Sequence, residues 1–316
     1  MKQLGYIAST PPPSLDDYSA DVPEGIKRGG RRSPGAPASV DSLTPLVSVI
    51  TIVRNGVATL PRAIESLLSQ DYRNVDYVVV DGQSTDGTLG VLQTFNNDIS
   101  LWVSEPDSGI SDAFNKGIAL SRGEIIGILN CDDWYEPGAI RKVVDAMQNS
   151  GADIAAGKMQ YWEGDRHTFT YSSDPDLLDQ SMTVGHPTVF VRRSCYRQIG
   201  LYRLDFRFAM DYEWILRAKH SVARFVTVEH CIANMRVGGI SDKRWRDGQR
   251  EVARARALHI PGKNTAWAYY SYLGYRIVKG TARRVLDRLG LGFFRRLYLR
   301  WFSPVTVTAV RRHDRQ

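Results

Sequence analysis

The sequence predicts an α/β protein on a mostly parallel sheet flanked by helices. Three observations carry this. Apolar-rich runs alternate with amphipathic helical stripes, several carboxylates fall where the runs stop, and the pattern loosens after about residue 150. A continuous apolar run suits a parallel strand covered on both faces, and βαβ repetition requires helical crossovers.

The elements follow in order. VSVITIV (47–53) is the first buried strand. After Asn55-Gly56, residues 59–70 place Leu60, Ala63, Ile64, Leu67 and Leu68 on one stripe of a helix. VDYVVVD (75–81) is the second strand, followed by the turn-rich GQSTDGT and a helix over about 86–95. ISLWVSE (99–105) is a shorter third strand, and 109–121 is a helix with Ile110, Ala113, Phe114, Gly117 and Ile118 inward. EIIGILN (124–130) is the fourth strand, stopping at Cys131-Asp132-Asp133. Beyond it ADIAAGKMQYW and HTFTY can pair as strands, and PTVFV (187–191) leads into a helix. DYEWILRAK (211–219) is helical, and ARFVTVEHCIANMRV holds one or two strands, so a smaller mixed half completes the sheet.

Composition sets the limits. With 316 residues there is room for one large domain or one with an appendage. Hydrophobic residues at 43% and charged ones at 24% exclude a fibrous or wholly disordered chain. Three cysteines with no CxxC pair argue against a disulfide framework or a thiolate zinc site. No apolar run follows MKQLGY and no uncharged stretch of about 18 apolar residues exists, so neither a cleaved leader nor a spanning helix is expected.

The net charge of +7 is unevenly spread. Residues 45–242 carry 18 basic and 25 acidic side chains, whereas 243–316 carry 18 and 4. Three segments are therefore expected. Residues 1–45, rich in breakers and poor in apolar periodicity, form a disordered arm, 46–241 the α/β body, and 242–316 a basic, aromatic-rich helical extension. Aromatic side chains beside Arg and Lys in that extension suit an anionic membrane surface, contacted through residues 242–302, and packing on the acidic body is the alternative. It has no nucleic-acid recognition motif, and no nucleic-acid partner is expected.

In a parallel sheet, ligands bind beyond the carboxyl ends of the strands, where Asp81, Asp132 and Asp133 fall. Carboxylates gathered there suit a hard cation, Mg²⁺ or Mn²⁺, which takes carboxylate, water and phosphate oxygen. The cation would hold a diphosphate, since GxxxxGK[ST], GxGxxG and HExxH are all missing. Each residue also has a plainer reading. Asp81-Gly82 is a turn signal, Asp132-Asp133 can cap the helix starting near Pro137, and Asp112 can simply pair with Lys116 one turn on. Residues 82–86 nearly spell a GxSxG nucleophile elbow, but Asp86 stands where glycine is required.

Together VSVITIVRN, VVVDGQSTDGT and SGISDAFNKGIALSRGEIIGILNCDDWY resemble the N-terminal half of a family 2 glycosyltransferase with the GT-A fold. The resemblance is close over about 46–150. It continues more weakly through GHPTVFVRRSCYRQIGLYRLDFRFAMDYEWILRAK to GGIS at 238–241, in the manner of bacterial surface-polysaccharide enzymes. It implies a nucleotide-binding sheet and an acceptor-side second half. It further implies an inverting transferase that moves a sugar from a nucleotide-sugar donor, UDP by default, to a hydroxyl of a saccharide or lipid-linked saccharide. The implied location is the cytoplasmic face of the membrane, as a peripheral protein. By the same resemblance Thr51 to Asn55 line the nucleotide pocket and Asp81 meets the base. Asp112, Asn115 and Lys116 pass the ribose and phosphates, Asp132 contacts the donor, and Asp132 with Asp133 holds the metal. Asn130 stands where the family's metal motif usually has its first aspartate. Asp211 matches the catalytic base, and His186, Arg192 and Trp134 fall near acceptor or phosphate contacts. Capping by Asp211 and core packing by His186 and Trp134 are the alternatives. A sugar nucleotidyltransferase and a catalytically silent binding module are the competing functions. The first normally carries a glycine-rich signature near its start that is missing here.

Overall fold

The structure is a computed structural model that describes residues 11–19, 22–32, 44–239 and 244–260. The chain divides into two compact units, Met1–His259 and Ile260–Gln316. The second, with the basic stretch on which the membrane expectation rests, lies outside the described residues apart from Ile260, as do residues 240–243.

The strands of the first unit are β1 (Lys27–Gly29), β2 (Val47–Val53), β3 (Val75–Asp81), β4 (Leu101–Ser104), β5 (Ile125–Ile128), β6 (Trp134–Tyr135), β7 (Ile154–Glu163), β8 (Arg166–Tyr171), β9 (Phe190–Arg192) and β10 (Phe225–Arg236). The helices are α1 (Leu60–Leu68), α2 (Thr88–Thr94), α3 (Ile110–Leu120), α4 (Ala139–Ser150), α5 (Arg193–Ile199), α6 (Met210–Lys219) and α7 (Trp245–His259). One ten-stranded sheet runs β1-β4-β3-β2-β5-β9-β7-β10-β6, with β8 paired to β7. Strands β4, β3, β2 and β5 are parallel, as the sequence predicts. Strand β9 runs antiparallel between β5 and β7, and β10 lies parallel to β7, so the carboxyl ends of β7 and β10 return to the rim shared by β2, β3 and β5.

Local chemistry explains these elements. Six of seven residues in β2 are buried, which needs side chains apolar toward both faces. Helix α1 carries Pro61 in its first turn, where the missing N–H costs nothing, and buries Leu60, Ala63, Ile64 and Leu67. Helix α4 ends at Gly151, φ 63°, a left-handed cap that glycine adopts without a Cβ clash. The core gathers Val49, Ile64, Tyr77, Val79, Phe190 and Ile232 between the sheet and its helices.

Two boundaries differ from the sequence expectation. Parts of the arm expected to be disordered are placed on the body. Strand β1 adds antiparallel to the edge of β4, with Lys27 opposite Ser104 and Gly29 opposite Trp102. A Cβ on Gly29 would collide with the Trp102 and Asn96 side chains, so any other residue would require them to shift. The Arg32 guanidinium donates to the Leu120 carbonyl at 2.8 Å and lies 3.6 Å from Asp76. Backbone pairing with a free sheet edge needs no apolar periodicity, which is why composition misses it. The second difference is that the basic helix α7 belongs to the first unit, so the division falls after His259 rather than after residue 241.

Candidate functional site

The carboxyl rim is built by register. Asp81 ends β3 opposite Val53 and Ser104, and the β5 exit carries Asp132 and Asp133 at the same edge. Asp81 is fully buried and accepts from the Ser84 backbone N–H at 3.1 Å, the Ser84 hydroxyl, and the Ser104 hydroxyl at 2.6 Å. Its carboxylate braces the loop entering α2 from within. Asn55, at φ 55°, joins this loop to the β2 exit. Its N–H donates to Ser84 Oγ at 2.7 Å, and Thr85 N–H donates to its Oδ1 at 2.8 Å.

Asp132 is half-buried, and among the described residues its carboxylate makes no hydrogen bond or ion pair. Asp133 is buried beside it. Burial, and then the charge of Asp132, push the Asp133 carboxyl well above the ordinary carboxylate range. Asn130 Nδ2 donates to Asp133 at 3.2 Å and the Arg236 N–H at 3.3 Å. An amide at residue 130 therefore supplies a donor where a third carboxylate would add repulsion. No group of three or more His, Cys, Asp or Glu among the described residues could hold a metal ion. The pair still fits Mg²⁺ or Mn²⁺, which take one or two carboxylates and complete their shell with water and substrate phosphate. Asp132 has unspent oxygens, and a cation would favour the charged form of both carboxylates.

His186 opens a short 3-10 turn immediately before β9. Because β9 is antiparallel to β5, its leading end lies at the carboxyl rim. The His186 ring stacks on Phe114, centroids 5.4 Å apart, and meets Tyr202 edge-on at 6.5 Å. Burial pushes the imidazole pKa down, and Asp211 opposes the shift. Asp211 lies in the first turn of α6, half-buried, accepting the Tyr212 N–H at 2.8 Å. A carboxylate there is favoured by the helix dipole.

Several of the expected contact residues are engaged within the protein. Arg192 is opposite Ile125 at the amino ends of the parallel strands, and its Nε donates to the Ala152 carbonyl at 3.0 Å. The antiparallel course of β9 carries it away from the rim. Thr51 is buried inside β2, accepting from Tyr77 Oη at 3.1 Å, because the strand continues past it to Val53. Asn115 is fully buried on α3. Its Nδ2 donates to the Tyr202 carbonyl at 2.8 Å, and its Oδ1 accepts the Tyr202 N–H at 2.9 Å. Both ends of the amide are spent on one backbone. Asp112 accepts from Tyr18 Oη at 2.9 Å and Ser108 N–H at 2.9 Å. Lys116 lies 3.5 Å from Asp112 and 3.3 Å from Glu105, so the one-turn pairing open in the sequence is made.

Sequence reasoning missed Tyr18, Arg62, Trp162 and Arg236. Trp134, expected as an acceptor wall or core residue, is buried beneath Arg62 and tilted against Trp162 at 5.7 Å. No local pattern announces these partners. Only β10 register against β6 and β7 brings Arg236 and Trp162 to Trp134.

A crossover sheet with carboxylates at its carboxyl rim and an antiparallel insertion beside them defines the GT-A class of nucleotide-dependent transferases. Residues 48–219 match glycosyl transferase family 2, and the chain belongs to that family and is a glycosyltransferase. It is 31% identical over 207 residues to an uncharacterized glycosyltransferase of Mycobacterium tuberculosis, covering 63% of this chain and 78% of that one. It is 26% identical over 205 residues to a PGL/p-HBAD biosynthesis glycosyltransferase of Mycobacterium bovis, covering 63% and 80%. Among solved structures it is similar to the mannosyltransferase PcManGT from Pyrobaculum calidifontis in complex with GDP-Man and Mn²⁺. The TM-score is 0.59 at 16% identity, covering 87% of each chain. It is also similar to S. aureus TarS 1-349 in complex with UDP, with a TM-score of 0.55 at 18% identity, covering 70% of this chain and 68% of that one. Both share the fold.

Proposed function

We propose that the protein is an inverting transferase that moves a sugar from a nucleotide-sugar donor to a hydroxyl of a saccharide, lipid-linked in cell-envelope polysaccharide synthesis. The observation that carries this reading is the shared rim, where the unspent carboxylate of Asp132 lies beyond β5 and His186, within electrostatic reach of Asp211, lies before the adjacent β9. The UDP, UDP-GlcNAc and GDP-Man complexes of its structural neighbours support a nucleotide-sugar donor. The 18 basic residues of 243–316 support a peripheral position at the inner face of the membrane, where a lipid-linked acceptor would lie.

The residues divide the work. The loops joined through Asn55, Ser84 and Thr85 shape the nucleotide pocket, with Asp81 as their internal brace. Asp132 and Asp133 would hold Mg²⁺ or Mn²⁺, which when bound neutralises charge on the departing nucleoside diphosphate. Asp211 takes the proton of the acceptor hydroxyl as it attacks the anomeric carbon from the face opposite the diphosphate. No enzyme nucleophile is required, and the centre inverts. Burial and Asp132 raise the Cys131 thiol pKa to about 12, which keeps that side chain a neutral thiol.

Asp211→Asn tests the assignment. It preserves shape and the accepted Tyr212 bond while removing the base, so kcat should fall ~10²–10⁴-fold. Nucleoside diphosphate affinity should stay within about twofold by calorimetry. Unchanged turnover removes Asp211 from the role, and release of pyrophosphate instead of a nucleoside diphosphate replaces transfer with nucleotidyl chemistry.

A further inference from the structure

The side chains around Trp134 form a cationic clamp that the reading above does not use. The Arg62 guanidinium, from the first turn of α1, lies 3.3 Å from the centre of the Trp134 ring. The Arg236 guanidinium, at the end of β10, lies 5.5 Å from the same ring. Asn234 faces Trp134 in the β6–β10 ladder, and Trp162 Nε1 donates to Asn234 Oδ1 at 2.7 Å, which fixes the indole pair.

These two arginines differ from others in the protein. Arg193 donates to the Gly123 carbonyl, Arg203 pairs with Asp205, and Arg217 pairs with Glu213. Among the described residues neither the Arg62 nor the Arg236 guanidinium makes a hydrogen bond or ion pair, and Arg236 Nε is buried with no partner. Burial, and then the charge of Arg236, lower the pKa of Arg62, while Asp165 attracts it without forming an ion pair. Stacking on an indole favours each cation separately. It does not remove their mutual repulsion and leaves their donors unspent. An oxyanion within reach of both would answer both needs, and forked guanidinium donors match phosphate oxygens in pairs. The site adjoins Asp133, which accepts the Arg236 N–H.

We propose that Arg62 and Arg236, held against Trp134, bind a phosphoryl group of a substrate of this enzyme. This rests on the transferase reading and deepens it. Two sources share the chemistry, namely the donor diphosphate and a phosphate that links the acceptor saccharide to its lipid.

The test uses the full chain with Mg²⁺. UDP and GDP are titrated first by calorimetry, and inorganic phosphate is then titrated into the nucleotide-saturated protein, followed by tryptophan fluorescence. Arg62→Gln and Arg236→Gln keep much of the aliphatic stem and remove the charge, and Arg62→Lys keeps the charge but loses the fork. Melting curves identify any variant that fails to fold, and Arg62→Lys then carries the comparison. If the donor diphosphate is the ligand, each Gln variant weakens nucleotide binding by ~10-fold or more, with Lys between. If the acceptor phosphate is the ligand, nucleotide affinity holds and phosphate binding to the saturated protein falls by the same factor. Folded variants that bind both probes within about twofold of the parent overturn the clamp, and so does a parent that binds neither probe. A parent that binds phosphate through these arginines but no nucleotide keeps the clamp and rejects the transferase reading.

Discussion

Helix α6 carries Asp211 in its first turn, but the residue before the helix, Ala209, has no side chain able to cap it. The cap comes from α7. The Glu251 carboxylate accepts the N–H groups of Arg207 at 2.9 Å, Phe208 at 2.8 Å and Ala209 at 2.9 Å. Of these only the Ala209 N–H belongs to the helix start, where a carboxylate satisfies an orphan donor and opposes the dipole, and the other two lie in the entering loop, which Glu251 ties down. Loss of a cap costs ~1 kcal/mol, and the charge on Glu251 adds a similar amount at this half-buried position. Glu251→Ala should therefore destabilise the first unit by about 2 kcal/mol. For a body of this size the midpoint should fall by ~4–8 °C, and about half that for Glu251→Gln, which keeps one acceptor oxygen. Calorimetry measures the midpoint, and hydrogen exchange at residues 207–211 measures the helix start. A Glu251→Ala protein with the parental midpoint and unchanged exchange there refutes the capping argument. If exchange rises and turnover falls with nucleotide affinity retained, α7 positions Asp211 from a distance.

Two further outcomes follow from the site. Asn130→Asp replaces the donor to Asp133 with a third carboxylate, so the metal-free protein should lose ~1–3 kcal/mol, and added Mn²⁺ should restore more melting temperature than in the parent. A thermal shift no larger than the parent's would argue against Asp133 as part of a cation site. For His186, whose folded pKa lies below its ordinary value of 6.5, the unfolded chain binds the proton more tightly. Stability should thus decline as pH falls below about 6.5 and level off below the folded pKa, and His186→Gln should flatten that slope in urea titrations. Asp211 and Tyr202 are the titratable groups facing it, and Asp211 softens the effect.

Much of the fold was legible because its signals are local. The continuous run at 47–53, the stripe of Leu60, Ala63, Ile64 and Leu67, and the break at Cys131-Asp132-Asp133 each state their structure within a few residues. The antiparallel insertion was not legible, because the direction of β9 depends on which neighbours it joins. That direction alone separates His186, at the rim, from Arg192, at the far edge. The family resemblance implies ligand contacts at Thr51 and Asn115, and the sequence does not show that they also bond to Tyr77 and Tyr202, which lie 26 and 87 residues away.

The sequence by itself therefore determined the parallel α/β core, its helical crossovers and the identity of the paired aspartates, since periodicity and turn chemistry act over short spans. Only the tertiary structure decided that residues of the N-terminal arm pair with β4, that Glu251 caps the helix of Asp211, and that Arg62 and Arg236 share the ring of Trp134. Those pairings join residues far apart in the chain, and they form only once the packed core has fixed the distances between their backbones.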